Sequence, residues 1–99
     1  MMGFLEHILE KYNEALEELM GAQLYATEAC HAKTADEHNQ YIEMSRDELK
    51  HAANIAQMAD MVAAGSNDES THIAWKALRM HIEDWSDRIR EKLDRAAKK

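Results

Sequence analysis

The residues of this chain best suited to chemistry are Glu48 and His51, in the segment Arg46-Asp47-Glu48-Leu49-Lys50-His51. Three positions apart in a helix, a carboxylate and an imidazole share one face. The same face carries Tyr41, Met44, Ile55, Met58 and Val62 at spacings of three and four, so the pair falls where helical periodicity expects core. A buried carboxylate without a partner is costly, so it must protonate, pair or bind a cation. One alternative is a helix edge, with Glu48 and His51 half-solvated as a salt-bridged pair.

A third residue strengthens the metal reading. If the first two helices form an antiparallel hairpin that reflects about Lys33, Glu18 lies fifteen residues before the turn and Glu48 fifteen after it. At 1.5 Å rise per residue both stand about 22 Å from the turn. Two facing carboxylates repel, and a divalent cation relieves both the repulsion and the desolvation. Oxygen and imidazole donors suit iron, manganese or zinc better than calcium or magnesium. A carboxylate on one helix and Glu-x-x-His on another form half of a di-iron bundle site. A second chain has to supply the other half.

The elements that must position these residues are legible as three helices. The chain has no Pro and only three Gly, and it is rich in helix-forming Ala, Glu, Leu, Lys, Met and Arg. The first helix is expected over about 3–31, with Phe4, Ile8, Tyr12, Ala15, Leu19, Ala22, Ala26 and Ala29 as its apolar stripe. Thr34-Ala35-Asp36-Glu37 has the form of a capping box, which starts a second helix over about 35–64 that Gly65 ends. Ser66-Asn67-Asp68-Glu69 reads as another box, with Ser66 as the cap of a third helix over about 67–95. The stripe of that helix is Trp75, Leu78, Ile82, Trp85, Ile89 and Leu93. Short connections predict antiparallel neighbours. The fold class is all-α, and residues 1–99 form a single domain: a two-helix hairpin plus a C-terminal helix.

Composition narrows the function classes. The formal net charge of −7 argues against nucleic acid or an anionic membrane as main partner. A single cysteine, Cys30, gives no intrachain disulfide framework and fits a cytoplasmic location. The opening MMGFLEHILEKYNEAL is too interrupted by charge for a secretory or membrane-spanning segment.

The segments EELMGAQLYATEAC (17–30) and SRDELKHA (45–52) resemble the ferritin-like superfamily, and are most similar to the encapsulated ferritins, which are half-ferritins. The shared pattern is Glu17-Glu18-Leu19, Tyr25 seven residues after Glu18, and Glu48 and His51 beginning thirty residues after Glu18. The resemblance implies a four-helix ferritin-like bundle completed by dimerisation. It implies a di-iron ferroxidase centre across the dimer, oxidising Fe(II) to Fe(III) for iron storage or detoxification. Glu18, Glu48 and His51 are then the iron ligands of each chain, with Tyr25 beside the centre and Glu17 helping to capture ions on their approach. It also implies that dimers assemble into a ring inside an encapsulin shell. The pattern departs from the family at Met20, where a second acidic approach residue is usual, and EKLDRAAKK does not resemble the family's targeting peptide.

Two other functions fit the same residues. One is a non-catalytic helical oligomer or interaction protein, with a structural metal or none. The other is a peroxide reductase of rubrerythrin type, against which the lack of any Cys-x-x-Cys counts. Glu28 and His31 form a second Glu-x-x-His, expected to be a solvated helix end. His7, His38, His72 and His81 are expected at the surface without strong partners, Cys30 as a small buried or interfacial side chain, and the seven Met as core gap-fillers.

Overall fold

The computed structural model describes residues 3–98, which form three helices: α1 (Phe4–His31), α2 (Ala35–Ala64) and α3 (Glu69–Ala97). No strand occurs among the described residues. The Cα envelope measures 52 × 22 × 14 Å, a long, flat unit whose length is set by helices of 28 to 30 residues.

α1 and α2 join through residues 32–34. The Thr34 hydroxyl accepts the Glu37 N–H at 3.1 Å, the first half of the expected capping box. The second half is displaced: the Glu37 carboxylate takes the N–H of Lys33, at 3.4 Å. At the other end of α2, Gly65 has a φ of −79°, an ordinary right-handed value. Its lack of a side chain serves space instead of conformation, because a Cβ there would stand 3.3 Å from the Phe4 ring.

The start of α3 differs from the expectation. Asp68, not Ser66, is the cap. Its carboxylate accepts the Ser70 N–H at 3.1 Å and the Thr71 hydroxyl at 3.0 Å. Ser66 is buried, and its hydroxyl accepts the Asp68 N–H at 3.1 Å, shaping the link before the helix begins. A charged carboxylate also suits the positive end of the helix better than a hydroxyl does. α3 accordingly begins at Glu69 and continues to Ala97.

The core is an alanine-rich seam. On α1 it contains Ile8, Ala15, Leu19, Ala22, Ala26 and Ala29, and on α2 Ile42, Ser45, Leu49, Ala52, Ala56, Ala59 and Ala63. The α2 positions alternate steps of three and four throughout, the spacing of helices that pack nearly parallel to a common axis. Small side chains let the two backbones approach. The buried Ser45 hydroxyl donates to the Ala22 carbonyl oxygen at 2.6 Å.

α3 runs back along one flank of this hairpin. Trp75 Nε1 donates to Asp60 of α2, Trp85 Nε1 to Gln23 of α1, and Lys92 Nζ to Thr27 of α1, each at 2.7 Å. Trp75, Ile82, Ile89 and Leu93 are buried, with Leu78 and Trp85 packed partly against the core. Tyr12, Gln23 and Thr27 lie about 120–180° around α1 from Glu18. Thus α3 and Glu18 occupy opposite flanks.

This arrangement corrects the expected core of α2. Tyr41, Met44, Ile55, Met58 and Val62 lie beside the seam, on the flank that α3 does not cover. Met44 and Met58 are 40% and 49% exposed, and Tyr41, Ile55 and Val62 are only partly buried. Two apolar stripes share α2, and a hairpin can seat only one of them against α1. The alanine-rich stripe takes that place because it admits closer packing. Phe4, also expected in the core, is half exposed at the hairpin's end.

Candidate metal centre

Glu18 projects from α1, and Glu48 and His51 from α2, onto the open flank near the middle of the hairpin. One ligand atom from each residue lies within 4.8 Å of the others. His51 Nδ1 stands 3.5 Å from Glu18 Oε2 and 3.9 Å from Glu48 Oε1. The two carboxylates are about three-quarters buried, while the imidazole is more than half exposed. Each ligand therefore has its stem in the hairpin and its polar atoms toward the surface.

The electrostatics are those of a site short of positive charge. The Glu48 carboxyl is raised above its ordinary 4.5, first by its hydrogen bond with Glu18, then by burial and by the negative charge of Glu18. Asp47 adds to the rise, and His51 opposes it. A proton shared between the carboxylates would offset their repulsion, and a cation in its place would do the same with more charge.

Space for Glu48 comes from a residue that motif reasoning passed over. Gly21 sits three residues after Glu18 on α1, and a Cβ built there would lie 3.0 Å from Glu48 Oε2. The carboxylate thus rests in a notch in the α1 surface. An interior glycine in an otherwise alanine-rich helix was the available signal.

The donor chemistry fits a divalent first-row metal: two carboxylates and one imidazole in reach of one another, with an exposed side left for further ligands. The other sequence-nominated residues fall outside this group. Tyr25 stacks on Tyr41, with ring centroids 6.3 Å apart and planes at 25°. It lies two turns from Glu18, about 10.5 Å along α1. Glu17 and Met20 are exposed, and Glu17 is not among the converging donors. Glu28 and His31 are exposed near the turn, and Cys30 is partly buried.

Three of the remaining histidines have partners that the sequence did not suggest. His38 Nδ1 donates to the Ala29 carbonyl oxygen at 2.9 Å, closing the end of α1. His72 Nε2 donates to the Ser66 carbonyl oxygen at 2.7 Å. His81 Nδ1 shares a 2.6 Å hydrogen bond with the Tyr12 hydroxyl. Their partners are backbone or hydroxyl groups that no periodicity reports.

Comparison with protein-family models, curated proteins and solved structures finds no match. The expected likeness to encapsulated ferritins, carried by Glu17-Glu18-Leu19, Tyr25, Glu48 and His51, finds no support in these comparisons. Among the described residues, no helix is long and apolar enough to cross a membrane.

Proposed function

We propose that this chain is half of a ferroxidase, whose iron site is completed by a second copy of itself. The observation that carries the reading is the convergence of Glu18, Glu48 and His51 from two helices onto a flank left open by α3. Around them lies apolar surface that one chain leaves open at Met44 and Met58 and only partly covers at Ile55 and Val62. A two-fold axis through such a flank makes each residue face the same patch of its partner. Two hairpins then form a four-helix bundle, with two sets of ligands around a shared centre.

Within that centre, Glu18, Glu48 and His51 of each chain would hold the iron, with the Glu48 carboxylate lying close to α1 and to Glu18. Two Fe(II) each give one electron to dioxygen, which takes up two protons and leaves as hydrogen peroxide. Carboxylate oxygens favour the ferric product, since hard anionic donors stabilise the higher charge. Metal binding at Glu48 competes with a proton that the raised carboxyl holds more readily than an ordinary glutamate does.

The test is native mass spectrometry of metal-free protein titrated with Fe(II) without oxygen, followed by oxygen uptake. Dimers or their multiples with one iron per chain, and oxidation lost in Glu48→Ala at unchanged helix content, support the reading. Oxidation retained in Glu48→Ala sinks it. The same apolar flank favours a second reading, a helical oligomer without catalysis. An unchanged oligomeric state with no bound iron and no oxygen uptake selects that one.

A further inference from the structure

We propose that Gly21 is a positioning residue, present to hold the Glu48 carboxylate against Glu18 and His51. The inference rests on the metal-site reading above and assigns that site a residue outside its ligand set.

Gly21 is not required by backbone conformation. It lies inside α1, and no described residue has a positive φ. Glycine within a helix is less favourable than alanine, because more chain entropy is lost on ordering it. Close packing of the seam does not explain it either. The seam already uses alanine at Ala15, Ala22, Ala26 and Ala29, all essentially fully buried. Wherever that interface needs a small residue, alanine suffices.

The three heavy atoms that an added Cβ at position 21 would stand nearest to all belong to one side chain. That Cβ would meet Glu48 Oε2 at 3.0 Å, Cδ at 3.6 Å and Cγ at 3.7 Å. The first approach is closer than a carbon and an oxygen normally tolerate, and the other two are ordinary contacts. The clash falls on the far end of a flexible side chain, so the fold can relieve it by rotating the carboxylate outward. That rotation moves Glu48 away from Glu18 and from the imidazole 3.9 Å from its Oε1. The two effects of the substitution are thus opposite in sign. Helix stability gains, and the ligand geometry is lost.

This opposition makes the test decisive. Metal-free Gly21→Ala is melted beside the parent protein, and anaerobic Fe(II) binding to both, and to Glu48→Ala, is measured by calorimetry. The expected result is a melting temperature unchanged or raised, with Fe(II) binding weakened by about tenfold or more, the scale typical of losing support for a metal ligand. Binding unchanged in Gly21→Ala but lost in Glu48→Ala overturns the role of Gly21 and leaves the metal site standing. A lowered melting temperature with weaker binding makes Gly21 a structural residue and overturns the proposal too. A parent protein that binds no Fe(II) removes the metal site itself, and this inference with it.

Discussion

The Ser45 hydroxyl of α2 donates to the Ala22 carbonyl oxygen of α1 across 2.6 Å, at a fully buried point of the seam. A side chain this short spans the interface only because the facing residues are small. Ser45→Ala removes one hydrogen bond and leaves no donor stranded, for an expected loss of about 1 kcal/mol. Ser45→Leu forces extra volume into the seam and loses about 1–3 kcal/mol more. Chemical-denaturation midpoints of the two variants check the order. Equal stabilities mean that the helices are not closely packed at this point.

Asp60 ties α3 to the hairpin. It accepts the Trp75 indole N–H at 2.7 Å, and Arg79 Nε lies 3.3 Å from the same carboxylate oxygen. Asp60→Ala leaves the N–H of the nearly buried Trp75 without its acceptor, an expected loss of about 1–3 kcal/mol. Asp60→Asn keeps an oxygen for the indole and loses only the partly exposed ion pair, expected to matter by less than about 1 kcal/mol. Urea unfolding followed by tryptophan fluorescence separates the two. A larger loss in Asn than in Ala contradicts the assignment.

Glu48 makes stability depend on pH with a sign opposite to that of an ordinary salt-bridged carboxylate. Its folded value is raised above 4.5, principally by the hydrogen bond with Glu18. A raised carboxyl stabilises the fold fully below its unfolded value, and that contribution is lost as pH rises through the folded value. In metal-free protein, Glu48→Gln therefore gains stability relative to the parent from pH 4.5 upward, levelling off above the folded value. Unfolding free energies across a pH series provide the check. A difference that shrinks as pH rises contradicts the shared proton.

How much of this was legible in the sequence follows from what each residue touches. The three helices and the Thr34 cap declare themselves through local spacing and short-range hydrogen bonds, which the chain order contains directly. The convergence of Glu18 with Glu48 and His51 was legible too, because reflection about a short turn is nearly a one-dimensional problem. The α2 core was not. Tyr41, Met44, Ile55, Met58 and Val62 are more hydrophobic than Ala52, Ala56, Ala59 and Ala63, so hydrophobicity pointed to the wrong stripe. Packing distance decided between the two, and periodicity carries no distance. The caps at Ser66 and Asp68 lay within one motif, and burial of Ser66 settled which of them served. Gly21 escaped because its meaning lies in Glu48, twenty-seven residues away.

The open flank supplies the last prediction. In the proposed dimer, the stripe of Met44, Ile55 and Met58 packs against its own copy, so one substitution removes contacts twice. Met58 is 49% exposed in the single chain, and Met58→Glu should leave helix content and the monomer fold intact. About half of Met58 is left for the dimer to bury, so its loss amounts to about 0.7–1.5 kcal/mol per chain, with the new charges repelling as well. The dimer dissociation constant should therefore rise by about tenfold to a hundredfold. Sedimentation velocity over a concentration series, with and without Fe(II), measures this. In the metal-loaded protein, Met58→Glu should weaken association while Gly21 and the three ligands remain in place, so iron and dimer are lost together only if the site spans two chains. Association unchanged in Met58→Glu places the interface elsewhere and leaves Glu18, Glu48 and His51 as a site of one chain.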